Sequence, residues 1–404
     1  MMTQQSTRWS RQAGGLPRTF WYLWVGTLIN RLGGVVVTFL ALYLTGERGL
    51  STGEAGLVLT AYGIGSFIGQ PVGGLLADQW GRRATLLAGL VGGAGALFCL
   101  GLAGTLPVIL VIVTVYGVCL NGARPALQAA VADVVPGKDR ARAYALNFWA
   151  VNLGFGIGIP IGGVLAGQGW WWLLGVDIGS MIVFAGIIWA RVPETRPART
   201  PSDLPGSLRE VLRDRLLLTL VACLTAQGVV YLQAYTTLPL VMARDGLDAS
   251  GYGIALGLNG VLIIVLQPFL LGIITGRPRG QLLLVSGVLQ GLGIALHGLA
   301  STLITHMAAV AVWTVGEVLQ AGLLATVVAS LAPEHLRGRY LGVFGTSFGL
   351  AQLLAPLFGT QTLEQLGEGV LWITCAVVGV ASAIGLKYVS QTADQRKNSD
   401  TEAL

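Results

Sequence analysis

The segments VVPGKDRAR, residues 134–142, and LAPEHLRGR, residues 331–339, stand 197 positions apart with one proline and two arginines in register. The same offset matches further landmarks without a gap: Gln70-Pro71 with Gln267-Pro268, Gly49-Leu50 with Gly246-Leu247, and Arg82 with Arg279. An internal repeat of this length indicates a chain built from two duplicated halves. The sequence therefore predicts two similar helical bundles related by pseudo-symmetry.

The composition is that of a membrane protein. Of 404 residues, 53% are hydrophobic and 11% are charged, and the mean hydropathy is +0.70. Soluble globular proteins carry roughly 25% charged residues. The apolar residues come in runs of about 20, the length that an α-helix needs to cross a bilayer. We therefore expect an all-α polytopic membrane protein, since a membrane β-barrel would show short alternating strands.

The apolar runs predict twelve membrane spans, numbered here 1 to 12 in chain order. Their approximate ranges are 19–44, 54–77, 84–103, 106–133, 143–167, 171–191, 216–243, 251–274, 281–300, 304–330, 340–365 and 369–388. A segment rich in Pro, Arg and Asp separates the sixth span from the seventh. We therefore expect an N-terminal six-helix bundle over 1–191, a linker over 192–215, a C-terminal six-helix bundle over 216–388 and a tail over 389–404.

Basic residues set the expected orientation. Lys and Arg fall in both tails, in the linker and in alternate loops, whereas the loops on the other side hold only Arg48 and Arg244. Because cytoplasmic loops are enriched in Lys and Arg, both termini are expected in the cytoplasm of a multi-pass protein of the cytoplasmic (inner) membrane. This bias also explains the net charge of +6 without a nucleic-acid partner.

Motifs of other function classes are missing from the sequence. It has no Gly-x-x-x-x-Gly-Lys-Ser/Thr loop, so ATP-driven pumping is not expected. Its 3 histidines and 4 cysteines show neither the spacing of a metal site nor the context of a catalytic triad. His297 and His306 are interpreted as interface residues. We therefore expect no enzyme activity, no metal and no cofactor, and the proton gradient as the source of energy.

The motif GLLADQWGRR, residues 74–83, separates spans 2 and 3. It resembles the loop signature of the major facilitator superfamily, Gly-x-x-x-Asp-(Arg/Lys)-x-Gly-Arg-(Arg/Lys), with Gln79 in place of one basic residue. Together with twelve spans, a central linker and a duplicated half, the resemblance covers nearly the whole chain. It implies the major facilitator fold, with two pseudo-symmetric six-helix bundles.

The resemblance also implies a latch that closes the inner gate in the outward-open state. Its members would be Gly74, Asp78, Gly81, Arg82, Arg83 and Asp133. We expect Asp78 to face a helix N-terminus of the other half near residues 338–343 and to gain from the helix dipole. Arg82 would pair with Asp133, and Gly81 would give the tight turn. The alternative is ordinary charge that sets the topology.

The second repeat departs from this latch. Thr275, Pro278 and Ser330 occupy the positions of Asp78, Gly81 and Asp133, while Arg279 remains without those carboxylates. We therefore expect the charged latch mostly in the N-terminal half.

Span 5 carries a second motif, with Gly-Ile-Pro-Ile-Gly-Gly at residues 158–163. It resembles the Gly-Pro-x-x-Gly-Gly signature of the drug/proton antiporter branch, with the proline moved by one place. The residues of this motif are Gly154, Gly158, Pro160, Gly162 and Gly163. The resemblance implies antiport, and the alternative is a closely packed, kinked helix, since glycine permits close approach and proline removes a backbone hydrogen bond.

Four ionisable residues within the spans are proton-coupling candidates, because charge at membrane depth is costly. Arg124 in span 4 resembles an arginine that antiporters of the superfamily place near the proton path. It stays charged, so it would tune a nearby acid or bind an anionic group. Arg31 in span 1 is expected to face a cavity, or else to tie to a polar group on span 5 such as Asn152.

The two acids are Glu317, about midway along span 10, and Asp177 in span 6, nearer its outer end. A carboxyl group shielded from water can exchange a proton near neutral pH, as a proton carrier requires. The alternative is a helix-packing hydrogen bond for Glu317 and a bond to an interface neighbour for Asp177.

These features predict a secondary transporter that rocks between inward- and outward-open states around a site between its halves. The expected cargo is a small lipophilic or amphipathic compound, exported in exchange for protons by a monomer. The rivals are an importer or dedicated exporter of one metabolite, and a membrane sensor that does not transport. The expected polar residues of the substrate cavity are Asn30, Tyr62, Gln70, Asn121, Tyr231, Gln233, Tyr235, Asn259, Gln267 and Gln320.

Overall fold

The computed structural model describes residues 15–196, 208–274, 276–320, 323–333 and 336–402. Twelve of its helices are long and apolar enough to cross a membrane, in agreement with the predicted number. The helices are Arg18–Gly33 with Val36–Leu42 (span 1), Thr52–Gln79, Arg82–Leu102, Leu106–Val134, Arg140–Gln168, Trp170–Arg191, Arg215–Tyr231 with Gln233–Thr236 and Leu238–Arg244 (span 7), Ala249–Ile274, Arg279–Ala295, Leu303–Gln320 with Leu323–Leu331 (span 10), Arg337–Gln365 and Glu368–Glu402.

Local sequence explains several helix ends. Span 2 begins with a capping box, in which the Ser51 hydroxyl accepts from the Glu54 N–H while the Glu54 carboxylate accepts from the Ser51 N–H. Gly81 joins spans 2 and 3 at a φ of +106°, a conformation that glycine adopts without strain. We call the side that holds the start of span 1 and the end of span 12 the terminal face, and the opposite side the far face.

Span 1 is broken in its middle. The helix stops at Gly33 and resumes at Val36. The Val36 N–H therefore has no partner within its own helix, and it donates to Asp177 Oδ2 of span 6 at 3.1 Å. Arg31 lies just before this break.

The two halves meet along two seams. Span 5 packs on span 8, where a Cβ built on Gly260 would lie 2.6 Å from Gly156 Cα. Near the far face, the Ser250 hydroxyl donates to the Gly163 carbonyl at 3.3 Å. Span 2 packs on span 11, where a Cβ on Gly349 would lie 2.9 Å from the Phe67 ring. Backbone contact this close requires small residues on the facing helices.

Toward the terminal face, spans 2 and 11 separate around a cleft of about 330 Å³. Its lining includes Gln70, Pro71, Leu341 and Gly345. The described contacts between the halves therefore become looser from the far face to the terminal face.

One predicted boundary, the end of span 12, differs from the structure. The helix of span 12 does not end at 388 but continues to Glu402, and Val389 and Ala393 are buried in a hydrophobic cluster of the C-terminal half. The expected tail therefore begins as part of the bundle. The linker is extended over its described start, residues 192–196, and has a short helix at Leu208–Val211, while residues 197–207 lie outside the described residues.

His297 and His306 lie near the far-face ends of spans 9 and 10, as expected, and their role as membrane-interface residues stays a prediction. Both side chains are fully buried. Their Nδ1 atoms lie 2.9 Å apart, and His306 Nε2 lies 3.1 Å from Asp245 Oδ2. The His297 ring also contacts Trp372 of span 12. This polar chain joins spans 7, 9, 10 and 12 beneath the far face.

Candidate functional site

The motif between spans 2 and 3 forms a charged cluster at the terminal face. Arg82 lies 2.8 Å from Asp78 Oδ1 and 3.0 Å from Asp133 Oδ2, so the pair expected with Asp133 is present. Arg82 also donates to the Ala77 carbonyl at 2.8 Å. The Asp78 side chain is 73% exposed and its ion pair stays within the N-terminal half. The described residues therefore show no contact between Asp78 and span 11 in this conformation, although such a contact was expected.

Glu194 belongs to this cluster, although sequence reasoning missed it. Its carboxylate accepts from the backbone N–H groups of Arg82 at 2.8 Å and of Arg83 at 3.2 Å. These are the first donors of the span 3 helix, where a negative charge is stabilising. Arg83 in turn donates to the Trp189 carbonyl at 2.6 Å. Span 3 and the start of the linker are thereby tied together.

The C-terminal half replaces the missing carboxylates with others. Arg279 pairs with Asp394 of the extended span 12 at 2.9 Å. Asp214 accepts from the Tyr340 hydroxyl at 2.9 Å and lies 3.4 Å from Arg396. The C-terminal half therefore has ion pairs of its own at this face, and the expectation that the latch lies mostly in the N-terminal half stays a prediction. Repeat alignment could not find these partners, because they come from the last helix and from the linker.

The span 5 motif has two faces. Gly154, Gly158 and Gly162 follow the helical spacing of four and lie against Arg31, Leu32 and Val35 of span 1. Pro160 contacts Gly257 of span 8, and Gly163 lies against Ala249 and Ser250. One face therefore holds span 1 within the N-terminal half, and the other forms the seam with the C-terminal half.

A central cavity of about 240 Å³ lies between the halves. The N-terminal half contributes Arg31, Thr38, Leu59, Tyr62, Leu120, Arg124 and Phe155 to its wall, and the C-terminal half contributes Tyr231, Tyr235, Thr236, Phe348, Gln352 and Pro356. The wall is therefore mostly aromatic and apolar, with two cations on one side.

The two arginines of this wall form no ion pair within 4.0 Å in the described part of the chain, although the buried Asp177 carboxylate acts electrostatically on Arg31 from a greater distance. The Arg31 guanidinium stacks over the Phe155 ring at 5.3 Å from its centroid. Asn152, the partner considered from the sequence, instead donates to the Phe148 carbonyl of its own helix at 2.9 Å. Arg124 likewise makes no ion pair within 4.0 Å of a described carboxylate.

Glu317 lies in a second cavity of about 370 Å³ within the C-terminal half. Its Oε1 accepts from the Tyr231 hydroxyl at 3.2 Å, and its Oε2 accepts from Asn259 Nδ2 at 2.8 Å. Tyr231 borders both cavities, and its hydroxyl lies 3.3 Å from that of Tyr235 in the central cavity. A chain of hydroxyl groups thus leads from the carboxylate to the space between the halves.

Asp177 has different surroundings. Its side chain is fully buried against the break of span 1, and Oδ2 accepts from the Val36 N–H. It lines neither the central cavity nor the cavity of Glu317. Glu317 is therefore the candidate acid that is connected to the central cavity through the hydroxyl groups of Tyr231 and Tyr235.

Comparison with known proteins identifies the family of this chain. The sequence profile of the Major Facilitator Superfamily matches residues 23–356 and 236–403, which together span almost the whole chain. The chain belongs to the major facilitator superfamily.

Two relatives within the superfamily carry functional names. The chain is 26% identical over 402 residues to a Na(+), Li(+), K(+)/H(+) antiporter of Planococcus maritimus, with 90% of this chain and 93% of the relative covered. It is 28% identical over 133 residues to the quinolone resistance protein NorA of Staphylococcus aureus, with 33% and 34% covered. A solved major facilitator structure, the peptide transporter POT in complex with sulfate, aligns at a TM-score of 0.77 with 15% identity, over 94% of this chain and 95% of that one. This last likeness supports the fold alone.

Within the facilitator fold, the residues expected in the substrate cavity separate into groups. Tyr62, Tyr231 and Tyr235 line the central cavity, and Gln320 lines that of Glu317. Asn259 contacts Glu317 directly. Contact of these residues with a substrate stays a prediction.

The other expected cavity residues lie elsewhere. Asn121 is fully buried and donates to Ser66 Oγ at 2.7 Å. Gln233 donates to the Ala355 carbonyl at 3.1 Å and borders an apolar cavity of about 580 Å³ between spans 7, 11 and 12. Gln70 lines the terminal cleft. Asn30 and Gln267 are partly buried in spans 1 and 8 and line neither the central cavity nor that of Glu317. The apolar spans offer no continuous polar stripe, so the sequence could not fix which side of each helix faces inward.

Proposed function

We propose that this secondary transporter exports small lipophilic or amphipathic compounds in exchange for protons, with Glu317 as the proton-carrying group. The observation that carries the proposal is the position of Glu317. It is a carboxylate beside the space between the halves, held by the neutral donors Tyr231 and Asn259. In the described part of the chain it has no cationic partner within 4.0 Å. A carboxylate without a fixed counter-ion can gain and lose a proton without breaking an ion pair.

Alternating access would use the two seams between the halves. Spans 5 and 8 are closely packed from Gly156 and Gly260 to the contact of Ser250 with Gly163 near the far face, whereas the terminal face has a cleft between spans 2 and 11. We assign this conformation to the inward-facing state of a protein in the cytoplasmic membrane. The terminal face then lies on the cytoplasmic side. Asp78, which is free of span 11 here, would engage it when the terminal face closes. The unit that rocks is a monomer, because the cavity lies within one chain.

The shape of the cavity supports a small, partly aromatic cargo. Its wall presents the rings of Tyr62, Phe155, Tyr235 and Phe348. Aromatic and apolar walls bind varied ring compounds mainly by excluding water, with a few polar groups setting orientation. NorA is a quinolone resistance protein, and export of such compounds agrees with this wall.

A second candidate is exchange of monovalent cations for protons. The observation in its favour is the relative named as a Na(+), Li(+), K(+)/H(+) antiporter, which aligns over 90% of this chain. Hard cations prefer several oxygen ligands, and the cavity of Glu317 offers one carboxylate together with the side-chain oxygens of glutamine, tyrosine and serine residues. Arg31 and Arg124 on the central cavity would also repel a cation. We therefore rank this candidate second.

Proteoliposomes that enclose a pH-sensitive dye test both candidates. A pH gradient is imposed, and proton movement is recorded after each addition. The additions are a naphthalene compound in neutral, cationic or anionic form, and separately Na⁺ or K⁺. Proton movement evoked by ring compounds, absent in Glu317→Gln and normal in the variant Glu47→Gln at an exposed position, is expected. Proton movement evoked only by Na⁺ or K⁺ favours the second candidate. Binding of ring compounds without any proton movement favours a sensor, and a response to one compound alone favours a dedicated carrier.

A further inference from the structure

The charged residues that line the central cavity and the cavity of Glu317 are divided between the halves. The N-terminal wall holds two cations, Arg31 on span 1 and Arg124 on span 4. The C-terminal side holds one carboxylate, Glu317 on span 10. No described acidic side chain lies within ion-pair distance of either arginine, and no described cation lies within that distance of Glu317. Asp177 acts electrostatically on Arg31 without an ion pair, but the cations and the carboxylate that line the two cavities belong to opposite halves.

Separated charges of this kind are costly inside a membrane. A ligand can supply the counter-charge for a buried charged side chain that has no partner in the protein, since an unpaired ion in a low dielectric attracts an opposite charge strongly. An anionic group of the cargo would satisfy Arg31 and Arg124. A cationic group of the same cargo would satisfy Glu317.

The two cavities share Tyr231 and Phe348 in their walls, so a molecule that extends from one cavity into the other would approach both sets of charge. Tyr231 lines both cavities and donates to Glu317 Oε1, while Tyr235 and Phe155 lie on the wall shared with Arg31. The Phe155 ring is already fixed against the Arg31 guanidinium at 5.3 Å. An apolar or aromatic body could therefore lie among these rings with its charged ends toward opposite halves.

We propose that the cargo is a small amphoteric compound, whose anionic group binds Arg31 and Arg124 and whose cationic group binds Glu317. This inference rests on the proposed function and names its substrate class. It also explains exchange, because an ammonium group and a proton compete for the same carboxylate. A cargo held by both halves would moreover couple its own binding to their closure.

Four forms of one ring compound separate the contributions of the two charges. Naphthylalanine carries both charges, its amide carries only the cation, its N-acetyl form carries only the anion, and the N-acetyl amide is neutral. Binding to the purified full-length protein is measured by calorimetry, in buffers of different ionisation enthalpy so that proton release is also counted. Because charge-assisted hydrogen bonds are the strong ones, the zwitterion should bind about 10-fold or more tightly than either singly charged form.

Each substitution should remove the added affinity that comes from one charged group of the compound, either the anion or the cation. In Arg31→Gln and Arg124→Gln, naphthylalanine should bind no better than its amide, and the amide should bind as it does to wild type. In Glu317→Gln, naphthylalanine should bind no better than its N-acetyl form. Arg31→Lys, which keeps the charge, should retain part of the preference for the carboxylate. Arg244→Gln, at the exposed far end of span 7, is the matched control and should leave all four affinities unchanged.

Equal binding of all four forms to wild type would overturn the inference, as would an equal loss of all four in Arg31→Gln. Proton-driven transport that depends on Glu317 could persist in either case, so the proposed function would stand. The converse pattern is also distinct. If the charge preferences hold but zwitterion binding releases no proton, the amphoteric cargo stands and proton exchange through Glu317 is refuted.

Discussion

The Asp177 carboxylate accepts a hydrogen bond of 3.1 Å from the Val36 N–H, at the point where span 1 is interrupted. This contact makes Asp177 the cap of the second segment of span 1, supplied by another helix. An oxygen acceptor at the first turn of a helix satisfies a donor that has no partner within that helix. The cap requires an oxygen atom but not a charge.

Substitution at Asp177 should therefore separate capping from proton transfer. Asp177→Asn keeps an oxygen acceptor and should retain proton-driven transport, whereas Asp177→Ala should lose about 1 kcal/mol of stability through the lost cap. Thermal unfolding in detergent and transport in proteoliposomes measure the two effects. Loss of transport in a stably folded Asp177→Asn protein would instead assign the proton to Asp177.

The glycine seam on the far side gives a second prediction. A side chain at Gly260 would meet the backbone of Gly156 at 2.6 Å, so Gly260→Val should hold spans 5 and 8 apart. In a cysteine-free background, Ser250→Cys should then react faster with a membrane-impermeant maleimide added at the far face. Gly179→Ala is the control, because a Cβ there meets nothing within 4 Å. An unchanged rate in Gly260→Val would refute the role assigned to the seam.

Asp78 should matter for transport more than for stability. Its side chain is 73% exposed, and an exposed ion pair contributes little, about 0–1 kcal/mol. Arg82 also keeps Asp133 when Asp78 is replaced. Asp78→Asn should therefore unfold at nearly the wild-type temperature but transport more slowly, because the latch of the other state is weakened. Glu47→Gln, the same charge change at the exposed far end of span 1, is the control. Wild-type transport by Asp78→Asn would exclude the latch.

The buried histidine pair should contribute to stability. His306→Ala removes the partner of the buried His297 Nδ1, and a buried polar group left unpaired costs about 1–3 kcal/mol. Thermal unfolding should show a clear loss compared with Gln365→Ala, which changes an exposed residue on the same face. A melting temperature equal to that of the control would show that the chain of polar groups is not structural.

The number of spans could be predicted because it depends on local hydropathy alone. Positions that depend on contacts between distant helices could not. The break of span 1 is capped by Asp177 from span 6, span 3 is capped by Glu194 from the linker, and Arg279 finds Asp394 beyond the predicted end of span 12. The sequence marks none of these pairs.

The same limit applies to the candidate site. Glu317 could be singled out because an acid in an apolar span is rare, and the structure places it beside the cavities. Its donor Tyr231 was expected only as a cavity residue, since residues 86 positions apart meet solely through the packing of spans 7 and 10. Asn121 was misplaced because a buried amide can bond within its own half.

The central claim is that protons enter the transport cycle at Glu317. The most direct measurement compares, in the same Glu317→Gln proteoliposomes, transport driven by a pH gradient and exchange of labelled for unlabelled naphthylalanine without a gradient. Gln keeps the size and an oxygen acceptor but cannot exchange a proton. We predict that gradient-driven transport falls to the level of protein-free liposomes while exchange persists. Gradient-driven transport at the wild-type rate would contradict the claim.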